Sequence, residues 1–163
     1  MSEVVSGSWP TADLDPIRRL KVISAATNAT SYAQRRYEVP IERLWAVAAD
    51  LENELPQIIT GLRSFTITGT DGERISAQAV SSLGHREHFD VVLRPGWCLM
   101  QSKVLLGAMA AIPDGSGTTF AFMSGLRIPG ASALKRIGLF GTEARADALL
   151  DRLELRIQAR SSS

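Results

Sequence analysis

The chain has 163 residues, of which 45% are hydrophobic and 21% charged, and its formal net charge is +1. That is the length of one ordinary domain with enough apolar material for a core, and it excludes a disordered chain and a protein governed by bulk charge, nucleic-acid binders included. A single cysteine, Cys98, excludes an internal disulfide and a thiolate-rich metal site. With no run of about 20 apolar residues and no basic-then-apolar leader, no integral membrane segment is expected and the expected location is cytoplasmic.

Residues 1–12 read as a polar leader. Asp13 or Asp15 followed by Pro16 reads as a helix start, because an acceptor side chain and a proline both suit the first turn. Leu14, Ile17, Leu20 and Ile23 give this helix an approximate apolar edge. Residues 1–30 are expected to form a loosely packed extension rather than a lid or a dimer contact. The oligomeric state is left open between monomer and homodimer. The domain proper is expected over 31–160, with a serine tail at 161–163.

A first strand, Ser31 to Val39, stops at Pro40, which opens a short helix carrying Leu44, Trp45, Val47, Ala48 and Leu51 at helical spacing. Glu52 to Thr60 reads as a second short helix broken by Pro56 and ended by Gly61. Strand-like segments then fill roughly Leu62 to Leu126. Phe65 to Thr68 leads to the Asp71-Gly72 turn, and Ile75 to Ser81 and His85 to Leu93 flank Ser82-Leu83-Gly84. Placing Ser81 opposite His85 sets Ala79 opposite Glu87, Ala77 opposite Phe89 and Ile75 opposite Val91, and puts all eight residues on one mostly apolar face. Arg74, Ser76, Gln78, Arg86, His88, Asp90 and Arg94 fall on the other. After the Arg94-Pro95-Gly96 reversal, Cys98, Met100, Ser102, Val104 and Leu106 are expected inward, since the opposite parity would bury Lys103. The turn between Lys103 and Ala108 is unresolved at this level, as is the parity near Thr118 to Met123.

From Ala131 to about Gln158 the period becomes 3.6. Ala146, Leu149, Leu150, Leu153 and Ile157 make one stripe. Gly138 and Gly141 interrupt the earlier part of this segment, and the physical reason expected is vacant space over the sheet. The whole order predicts an α+β fold in which a curved antiparallel sheet grips one long C-terminal helix over a cavity.

Several local patterns resemble the START-like superfamily, in particular its polyketide cyclase/dehydrase and lipid-transport group. The resemblance rests on the segment YEVPIERLWAVAAD from Tyr37 to Asp50, on Leu55-Pro56 with Ile58-Ile59, on Gly117-Thr118 before the last strand, and on the terminal helix. It covers about Ser31 to Gln158. The tryptophan often found near the position of Pro56 is missing, and the N-terminal extension is long. The resemblance implies a helix-grip architecture of about seven strands, with two short helices after the first strand and an apolar cavity beneath the C-terminal helix.

Few residues carry candidate chemistry. His85 and His88 are three apart on a strand and so point to opposite sides, which argues against a shared metal; no metal and no cofactor are expected. His85 and Glu87 share the inward face and are the candidate acid/base pair, with a hydrogen-bonded or wet strand end as the bland alternative. His88 and Asp90 form an outward, solvated pair. Cys98 reads as a small buried hydrophobe, and no serine stands in a nucleophile-elbow context. The expected ligand-facing set is Tyr37, Phe65, Ala77, Ala79, His85, Glu87, Phe89, Val91, Met100, Met109, Phe122, Gly138 and Gly141, with Arg35, Tyr37, His85 and Glu87 as polar anchors. The expected partner is a small hydrophobic or amphipathic ligand. A polyketide aromatase/cyclase or dehydratase is the catalytic alternative and a protein-interaction module the third.

Overall fold

A computed structural model describes residues 15–27, 31–126 and 143–161. Helix α1 (Pro16–Ala26) starts where the sequence predicts. The Arg18 amide donates to the Asp15 carboxylate at 2.8 Å and Pro16 sits in the first turn. Strand β1 (Ser31–Tyr37) is followed by α2 (Ile41–Ala48) and α3 (Leu55–Ile58). The remaining strands are β2 (Leu62–Asp71), β3 (Arg74–Ser81), β4 (Arg86–Arg94), β5 (Trp97–Gln101), β6 (Leu105–Asp114) and β7 (Gly117–Leu126), and α4 (Glu143–Ser161) closes the described chain. All pairings are antiparallel, in the order β1-β7-β6-β5-β4-β3-β2. Strands β1 and β2 are therefore opposite edges of one seven-stranded sheet, and α2 and α3 carry the chain between them.

The predicted β3–β4 register is the observed one: Ala79 pairs with Glu87, Ala77 with Phe89 and Ile75 with Val91. Pro56 corrects the expectation for the second short helix. It occupies the first turn of α3, where no amide hydrogen is needed, so the helix begins at Leu55 and spans less than Glu52 to Thr60. Gly117 meets a steric demand, because a side chain there would run into the Tyr37 carbonyl. The neighbouring Thr118 hydroxyl donates to the Val39 carbonyl at 2.7 Å, which fixes the end of β1 against β7.

The reversal left open by the sequence falls at Ser102–Val104. The Ser102 hydroxyl accepts from the amides of Val104 (3.3 Å) and Leu105 (3.0 Å), so a side-chain turn closes the reversal. Cys98 and Met100 do face inward. Leu106, expected beside them, belongs to β6 and packs on the outer face instead. Lys103 is exposed in the turn, so its burial was never at issue.

The sheet is covered on both sides. On the inner face, Tyr37, Phe65, Ala77, Val91, Cys98, Met100, Met109, Phe120 and Phe122 form one core with Leu44, Val47, Leu55 and Ile58 of the short helices and Leu149, Leu150, Leu153 and Ile157 of α4. The predicted α4 stripe is buried in full, Ala146 included. On the outer face, Ile17 and Leu20 of α1 pack with Trp97, Ala108, Ala110, Ala121 and Met123. Leu20 is completely buried and the Arg19 guanidinium lies 5.5 Å from the centre of the Trp97 ring. This helix is a cover for β5–β7, not the loose extension expected. The predicted helix segment 131–142, with Gly138 and Gly141, lies outside the described residues.

Candidate functional site

The inner face of β2–β5 is a lattice of alternating large and small side chains. Ala79 lies between Phe65 and Glu87, Ala77 between Ile67 and Phe89, and Met100 between Val91 and Gly107. Phe65 and Phe89 meet at a ring separation of 5.9 Å. Ala77 and Ala79 are thus small where their partners across the sheet carry larger side chains, and both are buried in the inner core, Ala77 completely and Ala79 at 6% exposure. Met109 and Phe122, adjacent across β6 and β7, continue this inner wall toward β1.

Helix α4 is bolted to the other half of the molecule. The Tyr37 hydroxyl donates to the Leu150 carbonyl at 2.8 Å, and the Arg35 guanidinium donates to Asp151 at 2.7 Å. Arg152 donates to the Ile58 carbonyl at 2.7 Å. Glu54, 2% exposed, accepts from Arg156 at 2.6 Å and lies 2.9 Å from Arg160, which also pairs with Asp50. These ties run from α4 to β1, to the connection between α2 and α3, and to the end of α3. Sequence reasoning missed the Glu54 clasp; a glutamate immediately before Leu55-Pro56, facing arginines four apart on the last helix, was the available signal.

Two predicted anchors are thereby engaged within the protein. Burial pushes the Tyr37 phenol well above its ordinary value, so it remains a neutral donor to the helix backbone. The hydrogen bond to Asp151 raises Arg35 further and holds it at the protein surface rather than in the wall. A groove of about 300 Å³ does lie beside Tyr37, bordered by Arg36, Val39, Glu154 and Ile157. It sits at the far end of β1 and does not include the small residues Ala77 and Ala79.

The other pair divides. His85 is exposed in the turn before β4, where its amide donates to the Ser81 hydroxyl at 3.0 Å, whereas Glu87 is half-buried on the inner face opposite Ala79. The His85 carbonyl accepts from the Ser81 amide at 2.8 Å, as the predicted register requires, but the ladder ends there at the turn and the side chain is exposed. His88 and Asp90 are exposed and 3.3 Å apart, the outward pair that the register predicts. Burial pushes the Cys98 thiol up to about 12, which keeps it protonated and unreactive near neutral pH. Among the described residues no group of three or more His, Cys, Asp or Glu side chains is placed to hold a metal.

No protein-family model and no curated protein matches the sequence. Solved structures do match. The protein TTHA0849 from Thermus thermophilus is 22% identical with a TM-score of 0.61, over 81% of this chain and 99% of that one. CC1736 from Caulobacter crescentus is 16% identical with a TM-score of 0.62, over 82% and 99%. The Zhui aromatase/cyclase from a Streptomyces species is 13% identical with a TM-score of 0.60, over 81% and 94%. The chain shares the fold of these structures: a seven-stranded antiparallel sheet with two short helices after its first strand and a helix at its C-terminal end. At these identities the likeness is one of fold, and it extends over nearly the full length of each of the three structures. No helix among the described residues is long and apolar enough to cross a membrane.

Proposed function

We propose that the chain binds and carries a small hydrophobic or amphipathic molecule against the inner face of β2–β5. The observation that supports this reading is the pattern of side-chain sizes on the inner face: Ala77 and Ala79 set between Phe65, Phe89 and Ile67, with Glu87 as a polar group beside them. Apolar pockets with few polar anchors are the usual way such molecules are held. An aromatase/cyclase or dehydratase is the second reading, supported by the fold shared with Zhui. It needs an acid and a base converging on one substrate, and the described wall offers Glu87 while His85 stands exposed outside it.

Native mass spectrometry of protein purified without added ligand tests the carrier reading. A retained apolar small molecule is expected, with lower occupancy in Glu87→Gln, and no turnover. Protein that is empty and takes up no apolar dye contradicts it. Turnover that falls by about 10²- to 10⁴-fold in Glu87→Gln and His85→Ala with ligand still bound, the usual weight of general acid/base catalysis, establishes the cyclase reading instead.

A further inference from the structure

Three large apolar side chains among the described residues are mostly exposed: Val22 at 58% and Leu155 at 62%, both on helix surfaces, and Leu83 at 88%. Leu83 differs from the other two in position. It stands at the tip of the β3–β4 turn, a place where small polar residues are the usual choice, beside Gly84 in the left-handed conformation (φ 86°). A leucine there adds nothing to folding, because it touches no core.

The charge around that tip is one-sided. Leu62 pairs with Ser81, so Arg63, the second residue of β2, stands beside the turn, and its guanidinium donates to the Ser82 carbonyl at 3.3 Å. Arg86 begins β4. Gln101 pairs with Asp90, so the β5–β6 turn with Lys103 emerges at the same end of the sheet. All three cations are exposed, and among the described residues no carboxylate lies within ion-pair distance of any of them. The nearest acid in sequence, Glu87, is half-buried on the inner face. At the opposite end of the sheet the balance is different: Arg94 lies 3.9 Å from Glu73 and Arg36 lies 3.3 Å from Asp114.

We propose that the end of the sheet carrying the β3–β4 and β5–β6 turns docks on an anionic lipid bilayer, with Leu83 entering the interface and Arg63, Arg86 and Lys103 resting against headgroup phosphates. An apolar tip ringed by unneutralised cations is complementary to that surface: the acyl boundary takes the leucine and the phosphates take the charges. A nucleic acid would match the cations and leave Leu83 in water. The docking stands on this rim alone and holds whether or not the inner wall carries a ligand.

The test is co-sedimentation of the full chain with vesicles of phosphatidylcholine alone, with vesicles of equal parts phosphatidylcholine and phosphatidylglycerol, and a parallel titration with duplex DNA. Binding to the anionic vesicles is expected, weakening as salt rises from about 0.1 M to about 0.5 M. Leu83→Ser should lower it about tenfold and the pair Arg86→Ser with Lys103→Ser about fivefold per charge, while circular dichroism stays unchanged because all three side chains are exposed. No binding to anionic vesicles, or binding that is the same in the Leu83 and the Arg86/Lys103 variants as in the parent, overturns the proposal. Duplex binding lost in Arg86→Ser/Lys103→Ser, with vesicle binding indifferent to Leu83, reassigns the rim to nucleic acid and overturns it as well.

Discussion

Leu153→Ala is expected to cost about 2–5 kcal/mol and to lower the melting temperature by on the order of 10 °C. Leu153 is completely buried in the inner core, at the middle of the α4 stripe between Leu149 or Leu150 and Ile157. Truncating it removes the transfer free energy of the side chain and leaves a cavity between helix and sheet, which close-packed neighbours refill only in part. Leu155, two residues on and 62% exposed, is the internal control, and Leu155→Ala should shift stability by no more than about 0.5 kcal/mol. Thermal or denaturant unfolding of both variants measures the contrast. Equal losses at the two positions would mean that α4 is rotated from the orientation described.

Ala79→Phe is expected to weaken the binding of an apolar fluorescent dye by about tenfold or more, equivalent to about 1.4 kcal/mol. Ala79 is the small side chain between Phe65 and Glu87, so a ring there takes up the space that the carrier reading gives to a ligand. Ala110→Phe supplies the comparison. Ala110 is completely buried on the outer face beneath α1, where an added ring overpacks the second core at a cost of about 1–3 kcal/mol. That variant should be less stable and bind dye as the parent does. The two substitutions thus move affinity and stability separately, and a reversed pattern would place the ligand under α1.

What the sequence made legible follows from how sharply each face is patterned. In β3 and β4 one face is apolar and the other carries Arg74, Gln78, His88 and Asp90, so a shift of one residue would invert both faces and the register is determined. The α4 stripe was equally clear, because its leucines recur at helical spacing against charged residues. From Trp97 to Met123 the pattern is different: apolar residues occupy both parities, as in Trp97-Cys98-Leu99-Met100 and Ala108-Met109-Ala110-Ala111. Strands buried on both faces read as continuous runs, and that continuity was the sign that α1 covers the outside. It also hid the Ser102 turn, where a hydroxyl rather than a glycine closes the reversal. At the candidate site, the pairing of Glu87 and the alanines followed from register, whereas the engagement of Tyr37 and Arg35 did not: their partners, Leu150 and Asp151, lie more than a hundred residues away in the chain. The pairing of His85 with Ser81 was legible as well, but the exposure of its side chain was not, because the ladder ends there at the turn.

If the inner wall is the ligand face, methyl resonances on the two faces of the sheet report on it directly. Ala77, Ala79, Met100 and Met109 label the inner face, and Ala108, Ala110, Ala121 and Met123 label the outer one. Titrating methyl-labelled protein with an apolar dye, or with the molecule it retains on purification, should shift the Ala77, Ala79 and Met100 methyls and leave the outer set in place. Shifts confined to the outer set, or saturation of the dye with no movement of the inner methyls, would contradict the inner wall as the ligand face.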